Sequence, residues 1–206
     1  MTRLSFAAAM LACLLVPAGT AAHSPSVTES TTSSPSEAIV LEDATLSRAI
    51  GATIGQPGEV DWYRMDLQAG EPLVVGMTAP DALGAVPATF TLVGPGLPPA
   101  ADGGPQAEAL AEAAGVDGAL VFQPAAEPPL EVHGGLGFTN YGNLSLVAPA
   151  SGSYWVAVYA ADPEATGKYV FAPGVREEFG VDAIDGMADL IAFFMAPWPP
   201  EDGPAS

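Results

Sequence analysis

The chain has 206 residues, with 24 acidic residues against 5 Lys plus Arg and a formal net charge of −19. So few cations exclude a nucleic-acid binder, whose affinity comes from Lys and Arg neutralising phosphates, and make contact with anionic lipid unfavourable. A hydrophobic content of 49% excludes a wholly disordered chain, while 23 Gly and 21 Pro promise many short elements.

Residues 1–22 read as a secretory signal peptide. Arg3 gives a short positive start, Leu4 to Val16 is apolar except for Ser5, and Pro17 to Ala22 is a small-residue cleavage region. Cleavage after Ala22 or Ala21 fits that pattern. The apolar run is too short to span a bilayer comfortably. Cys13, the chain's one cysteine, lies inside the run and not at its end, where a lipid-attachment cysteine belongs. Cleavage therefore leaves a chain without disulfides, stabilised by its core alone, with 4 basic and 24 acidic residues. The expected location is periplasmic or extracellular, with no transmembrane segment in the mature chain.

Residues 23–37 form a Ser/Thr-rich leader. Ser24 to Ser36 holds nine Ser or Thr and two Pro, and is expected to be disordered. The globular part, 38–174, alternates apolar runs with turn signals. Strands are expected at Ala38–Leu41, Ser47–Ile54, Val60–Leu67, Pro72–Met77 and Thr89–Val93. Residues 97–118 are rich in Ala, Gly and Pro and read as a loop insertion. Within it Pro105–Ala114 suits a short helix, with Pro at the first turn and Gly115 just past the end. Further strands are expected at Ala119–Phe122, Leu130–His133, Leu144–Ala148, Tyr154–Tyr159 and Tyr169–Ala172. About eight to ten short strands without long helical periods between them predict an all-β, jelly-roll-like antiparallel sandwich.

Residues 175–206 are expected to hold a short C-terminal helix and a Pro-rich tail. Asp182 suits a cap, Ile184, Met187, Ala188, Ile191, Phe194 and Met195 make one stripe, and Pro197 ends the helix. Its length is too short for a membrane span and its polar face is acidic, the reverse of an interfacial helix. Two readings stay open: the helix packs on its own sandwich, or it docks into a partner through Phe193, Phe194 and Trp198.

Two stretches carry a family likeness. Gly58-Glu59-Val60-Asp61-Trp62-Tyr63-Arg64-Met65-Asp66-Leu67-Gln68-Ala69-Gly70-Glu71 is the first. Ala150-Ser151-Gly152-Ser153-Tyr154-Trp155-Val156-Ala157-Val158-Tyr159, followed by Thr166-Gly167-Lys168-Tyr169-Val170-Phe171, is the second. Together they resemble the bacterial pre-peptidase C-terminal domain, over roughly residues 38–174. The resemblance implies a jelly-roll sandwich and a secreted, usually non-catalytic accessory module. Some relatives bind matrix or carbohydrate and some bind calcium.

Period-two alternation places Tyr63, Met65 and Leu67 in the core, with Val60, Trp62, Arg64 and Asp66 opposite. Likewise Tyr154, Val156 and Val158 face inward, and Trp155, Ala157 and Tyr159 face away. Trp62, Trp155 and Tyr159 are therefore the candidate ligand-binding residues, as outward aromatics able to stack on sugars or anchor a protein. The competing reading has them packing beneath the insertion or the terminal segment. Glu42 with Asp43 and Glu59 with Asp61 are acidic pairs with calcium-type oxygens, but no Asp-x-Asp-x-Asp-Gly loop accompanies them, and no metal or cofactor is predicted. No catalytic residue is assigned: the mature chain lacks Cys, His23 and His133 are its two histidines, and no Gly-x-Ser-x-Gly elbow occurs. Asn143-Leu144-Ser145 fits a glycosylation triplet and is uninformative.

The leading functional expectation is non-catalytic binding of a protein or glycan at the cell envelope or outside the cell. An assembly protein held by its terminal helix is the alternative. A carboxylate-dependent hydrolase is the weakest of the three.

Overall fold

The computed structural model describes residues 24–28, 33–81, 84–133, 136–177 and 182–199; the side chains of 133 and 182–185 are outside that description. The expected signal peptide, 1–22, and most of the expected Pro-rich tail lie outside the described residues.

The described residues build eleven strands and two α-helices. The strands are β1 Ser24–Val27, β2 Ile39–Val40, β3 Arg48–Ile54, β4 Val60–Leu67, β5 Pro72–Pro80, β6 Ala88–Val93, β7 Ala119–Val121, β8 Leu130–His133, β9 Leu136–Val147, β10 Gly152–Ala160 and β11 Gly167–Pro173. The helices are α1 Pro105–Ala114 and α2 Asp182–Met195. A six-stranded sheet has the order β1-β3-β11-β5-β9-β8, and a five-stranded sheet the order β2-β4-β10-β6-β7. The fold is an all-β sandwich with a short C-terminal helix. Pairing is antiparallel except at two edges, where β1 and β2 run parallel to β3 and β4.

The sheets meet as the alternation requires. Tyr63, Met65, Tyr154, Val156 and Val158 are fully buried between them, with Leu73, Val75, Met77, Phe90, Leu92, Tyr169 and Phe171 from the neighbouring strands. Phe90 stacks on Phe122, with ring centroids 4.5 Å apart. Burial of this size is what stabilises the folded chain, at about 25 cal/mol per Å² of apolar area.

Each sheet also has a helical cover on its outer face. α1 and a 3-10 turn at Ala100–Gly103 cover the five-stranded sheet; α2 covers the six-stranded one. The layers are thus helix, sheet, sheet, helix. α1 begins at Pro105, whose missing N–H costs nothing in a first turn, and ends at Gly115 with φ 71°.

Two expectations change. Ser24–Val27, expected within the disordered leader, is a strand. Ser24 N–H bonds Ser47 O and Thr28 N–H bonds Gly51 O, at 2.9 Å each, and α2 packs across it. Its order is tertiary, which four residues of composition cannot reveal. The other change is the length of β9, expected only from Leu144. Its first half is separated by a bulge opposite Met77 and Thr78. Gly142 there has φ 105°, and the Asn140 side chain accepts its N–H at 2.8 Å. The bulge reverses which residues face the core, so the alternation breaks within one strand.

Among the described residues no helix is long and apolar enough to cross a membrane.

Candidate functional site

The aromatic set on the five-stranded sheet does not form an open platform. Trp62 is 3% exposed and packs with Val93, Ala107, Leu110, Ala111 and Ala157 beneath α1. Alternation gave its side of the sheet correctly; the insertion then closed over it. Trp62 offers no stacking face, and the outward role expected of it is corrected to core packing. Trp155 and Tyr159 are half-buried against the same cluster. The Trp155 indole N–H bonds Pro35 O at 3.3 Å, and the Tyr159 hydroxyl lies 3.0 Å from Thr91 Oγ1. Burial pushes the Tyr159 phenol upward.

The terminal anchors are engaged within the chain as well. Phe194 is 3% exposed against Val170 and Leu190, with its ring 5.5 Å from that of Phe138. Phe193 sits over Gly51, and Trp198 over Gly84. The open question about α2 thus resolves in favour of its own sandwich. Its rotation differs from the expected stripe: Met187 and Met195 are exposed, while Gly186, Leu190 and Phe194 face the sheet. The reason is Gly186. A Cβ there would lie 2.2 Å from the Pro25 carbonyl oxygen, so only the glycine side of the helix can approach β1 this closely.

Lys168 on β11 secures the other end of α2. It is buried, and its Nζ donates to Phe193 O at 2.6 Å and to Ala196 O at 2.5 Å. A cation here meets the last carbonyls and the negative end of the helix dipole. Desolvation lowers the lysine's proton affinity.

Of the carboxylates weighed as cation ligands, Asp43, Glu59 and Asp61 serve turns and core, and Glu42 is exposed. Asp43 accepts from the Thr45 hydroxyl at 2.7 Å and N–H at 2.9 Å, and pairs with Arg176. Those hydrogen bonds from Thr45, with the Arg176 guanidinium, hold its carboxyl at about 2. Glu59 closes its turn by accepting from Gly55 and Gln56 N–H at 2.7 and 2.8 Å. Asp61 is 2% exposed and accepts from the Tyr169 hydroxyl at 2.6 Å. That bond uses Tyr169's one proton, so the Tyr63 hydroxyl, 2.9 Å away, donates to Tyr169. The relay runs Tyr63 to Tyr169 to Asp61 and ties β4 to β11 across the sandwich. Burial drives both phenols far above their ordinary value.

No family model and no curated protein matches the chain. Among solved structures the chain is similar to PliG from Aeromonas hydrophila, described as a periplasmic lysozyme inhibitor of g-type lysozyme. The two are 15% identical over 73% of this chain and 98% of that one, with a TM-score of 0.42.

Among the exposed apolar residues, which include Val147, Val175 and Met195, two lie together on one short strand, β8. β8 is one edge of the six-stranded sheet, and β1 is the other. Leu130 pairs with Thr139 and Val132 with Gly137. These share the face of Tyr141, which packs toward the main core, whereas Leu136 and Phe138 face α2. The inner face of β8 thus extends past the core. Leu130 is 59% exposed and Val132 69%. The strand itself was expected from the sequence, but its importance was not. The one available signal was Leu130-Glu131-Val132-His133, an alternating run directly after Pro128-Pro129.

Proposed function

We propose that this protein is an exported, non-catalytic binding module of pre-peptidase C-terminal type, acting at the cell envelope or outside the cell. The observation that carries the reading is the overhanging strand β8, where Leu130 and Val132 present apolar side chains on a strongly acidic chain. Large apolar side chains left uncovered at a rigid sheet edge suit recognition of a partner. The two motif stretches support the family reading in a structural sense. β4 and β10 pair along their length, from Gly152 opposite Leu67 to Tyr159 opposite Val60. Their polar residues Asp61, Tyr63 and Tyr169 bond one another in the core, a use that suits a scaffold.

The test is capture from the host's envelope and culture fluid with chain 23–206 as bait, beside turnover assays on glycan and peptide substrates. Specific capture without turnover is the expected result. Turnover abolished by a single Asp or Glu substitution would replace the binding reading with the hydrolase.

A further inference from the structure

The backbone of β8 gives the mode of contact. Asn140 N–H donates to Pro129 O at 2.9 Å, and Leu130 to His133 follow in antiparallel register with Thr139 to Leu136. Hydrogen-bonded and non-hydrogen-bonded pairs alternate along such a ladder. With 129 and 140 a bonded pair, residues 131 and 133 turn their N–H and C=O toward β9. Leu130 and Val132 turn theirs to the open edge. Among the described residues no strand pairs with that edge. The same two residues thus carry both the outward main-chain groups and the exposed apolar side chains.

Charge selects the occupant. From Arg64 to Lys168 the chain contains no other Lys or Arg, and Lys168 is buried. Around β8 stand carboxylates: Glu127 is exposed, Glu131 accepts from the Asn140 amide, and Asp81 N–H bonds the carbonyl of Gly137, the partner of Val132. A second copy of chain 23–206, with 4 basic and 24 acidic residues, would bring a further net negative charge to an acidic edge. Resting on the binding reading above, we propose that β8 accepts an extended, basic segment of another protein by strand addition. Alternate apolar residues of that segment would cover Leu130 and Val132, and its Lys or Arg residues would meet the carboxylates. The strand's length of four residues and the two prolines before it restrain indiscriminate edge pairing.

The experiment uses chain 23–206, a synthetic peptide alternating Lys and Val, and its Glu-Val counterpart. Val132→Pro removes an outward donor and leaves the bonds between β8 and β9 intact. Val132→Lys keeps the donor and adds repulsion toward the basic peptide. The Lys-Val peptide should bind at least about tenfold more tightly than Glu-Val, and each variant should weaken it about tenfold while melting like the parent. Amide exchange at Leu130 and Val132 should slow on binding. Unchanged affinity in Val132→Pro overturns the proposal, as does self-association of the parent that Val132→Pro abolishes, which would make the occupant a second copy. Equal capture of envelope proteins by the parent and Val132→Pro would leave the binding-module reading standing while removing this edge from it. Failure of both to capture anything would count against the broader reading.

Discussion

A tyrosine hydroxyl decides how the two sheets are tied. Tyr169 donates to a buried carboxylate and receives from Tyr63, so Phe at 169 removes two hydrogen bonds in a site without bulk water. Tyr169→Phe should destabilise by about 1–3 kcal/mol in urea unfolding, and Tyr63→Phe, which leaves the bond to Asp61 in place, by less. Equal losses would mean the relay does not run in the direction given. Asp43 behaves differently because it is partly exposed. Its folded carboxyl titrates near 2, below the unfolded value, so its contribution is present above about pH 4 and disappears as pH falls toward 2. Solvent screening keeps that contribution small. The melting temperatures of the parent and Asp43→Asn should differ at neutral pH and converge near pH 2.

At the scale of elements, Lys168 and Gly186 hold α2 by opposite means, one by charge at its end and one by absence of a side chain at its start. Lys168→Met should free the last turn, raising amide exchange in α2 by about tenfold with little change in the sheets. Uniform exchange across the helix in both proteins would show that apolar packing alone retains it. Legibility in the sequence follows the same division between local and distant causes. β4, β8 and α1 start and stop where they were expected because Gly and Pro bracket them. β1 was illegible because its partners are β3 and a helix near the other end of the chain. The candidate site fell between these cases. The face of Trp62 could be read from alternation, but not what lies over it. The strand Leu130–His133 could be read as well, yet the exposure of Leu130 and Val132 depends on what the rest of the fold leaves uncovered at that edge.

The molecule as a whole carries 24 acidic residues, and the cations with described pairings are committed locally: Arg64 to Asp66, Arg176 to Asp43, Lys168 to helix carbonyls. Long-range repulsion therefore opposes folding at low ionic strength. Adding salt should raise the melting temperature most steeply up to about 0.1 M, where the screening length falls to about 10 Å. A flat response would mean that the carboxylates are spaced widely enough to ignore one another.

The contact between β1 and α2 has a consequence for the order in which the chain can be finished. The first described element to be synthesised is clamped by the last, and Gly51, Val170 and Phe138 gain their cover only when α2 arrives. A polypeptide made from its amino end would carry that flank bare until α2 was complete. A copy truncated before α2 would therefore keep its first strand unclamped and present a bare, half-built wall of the sandwich.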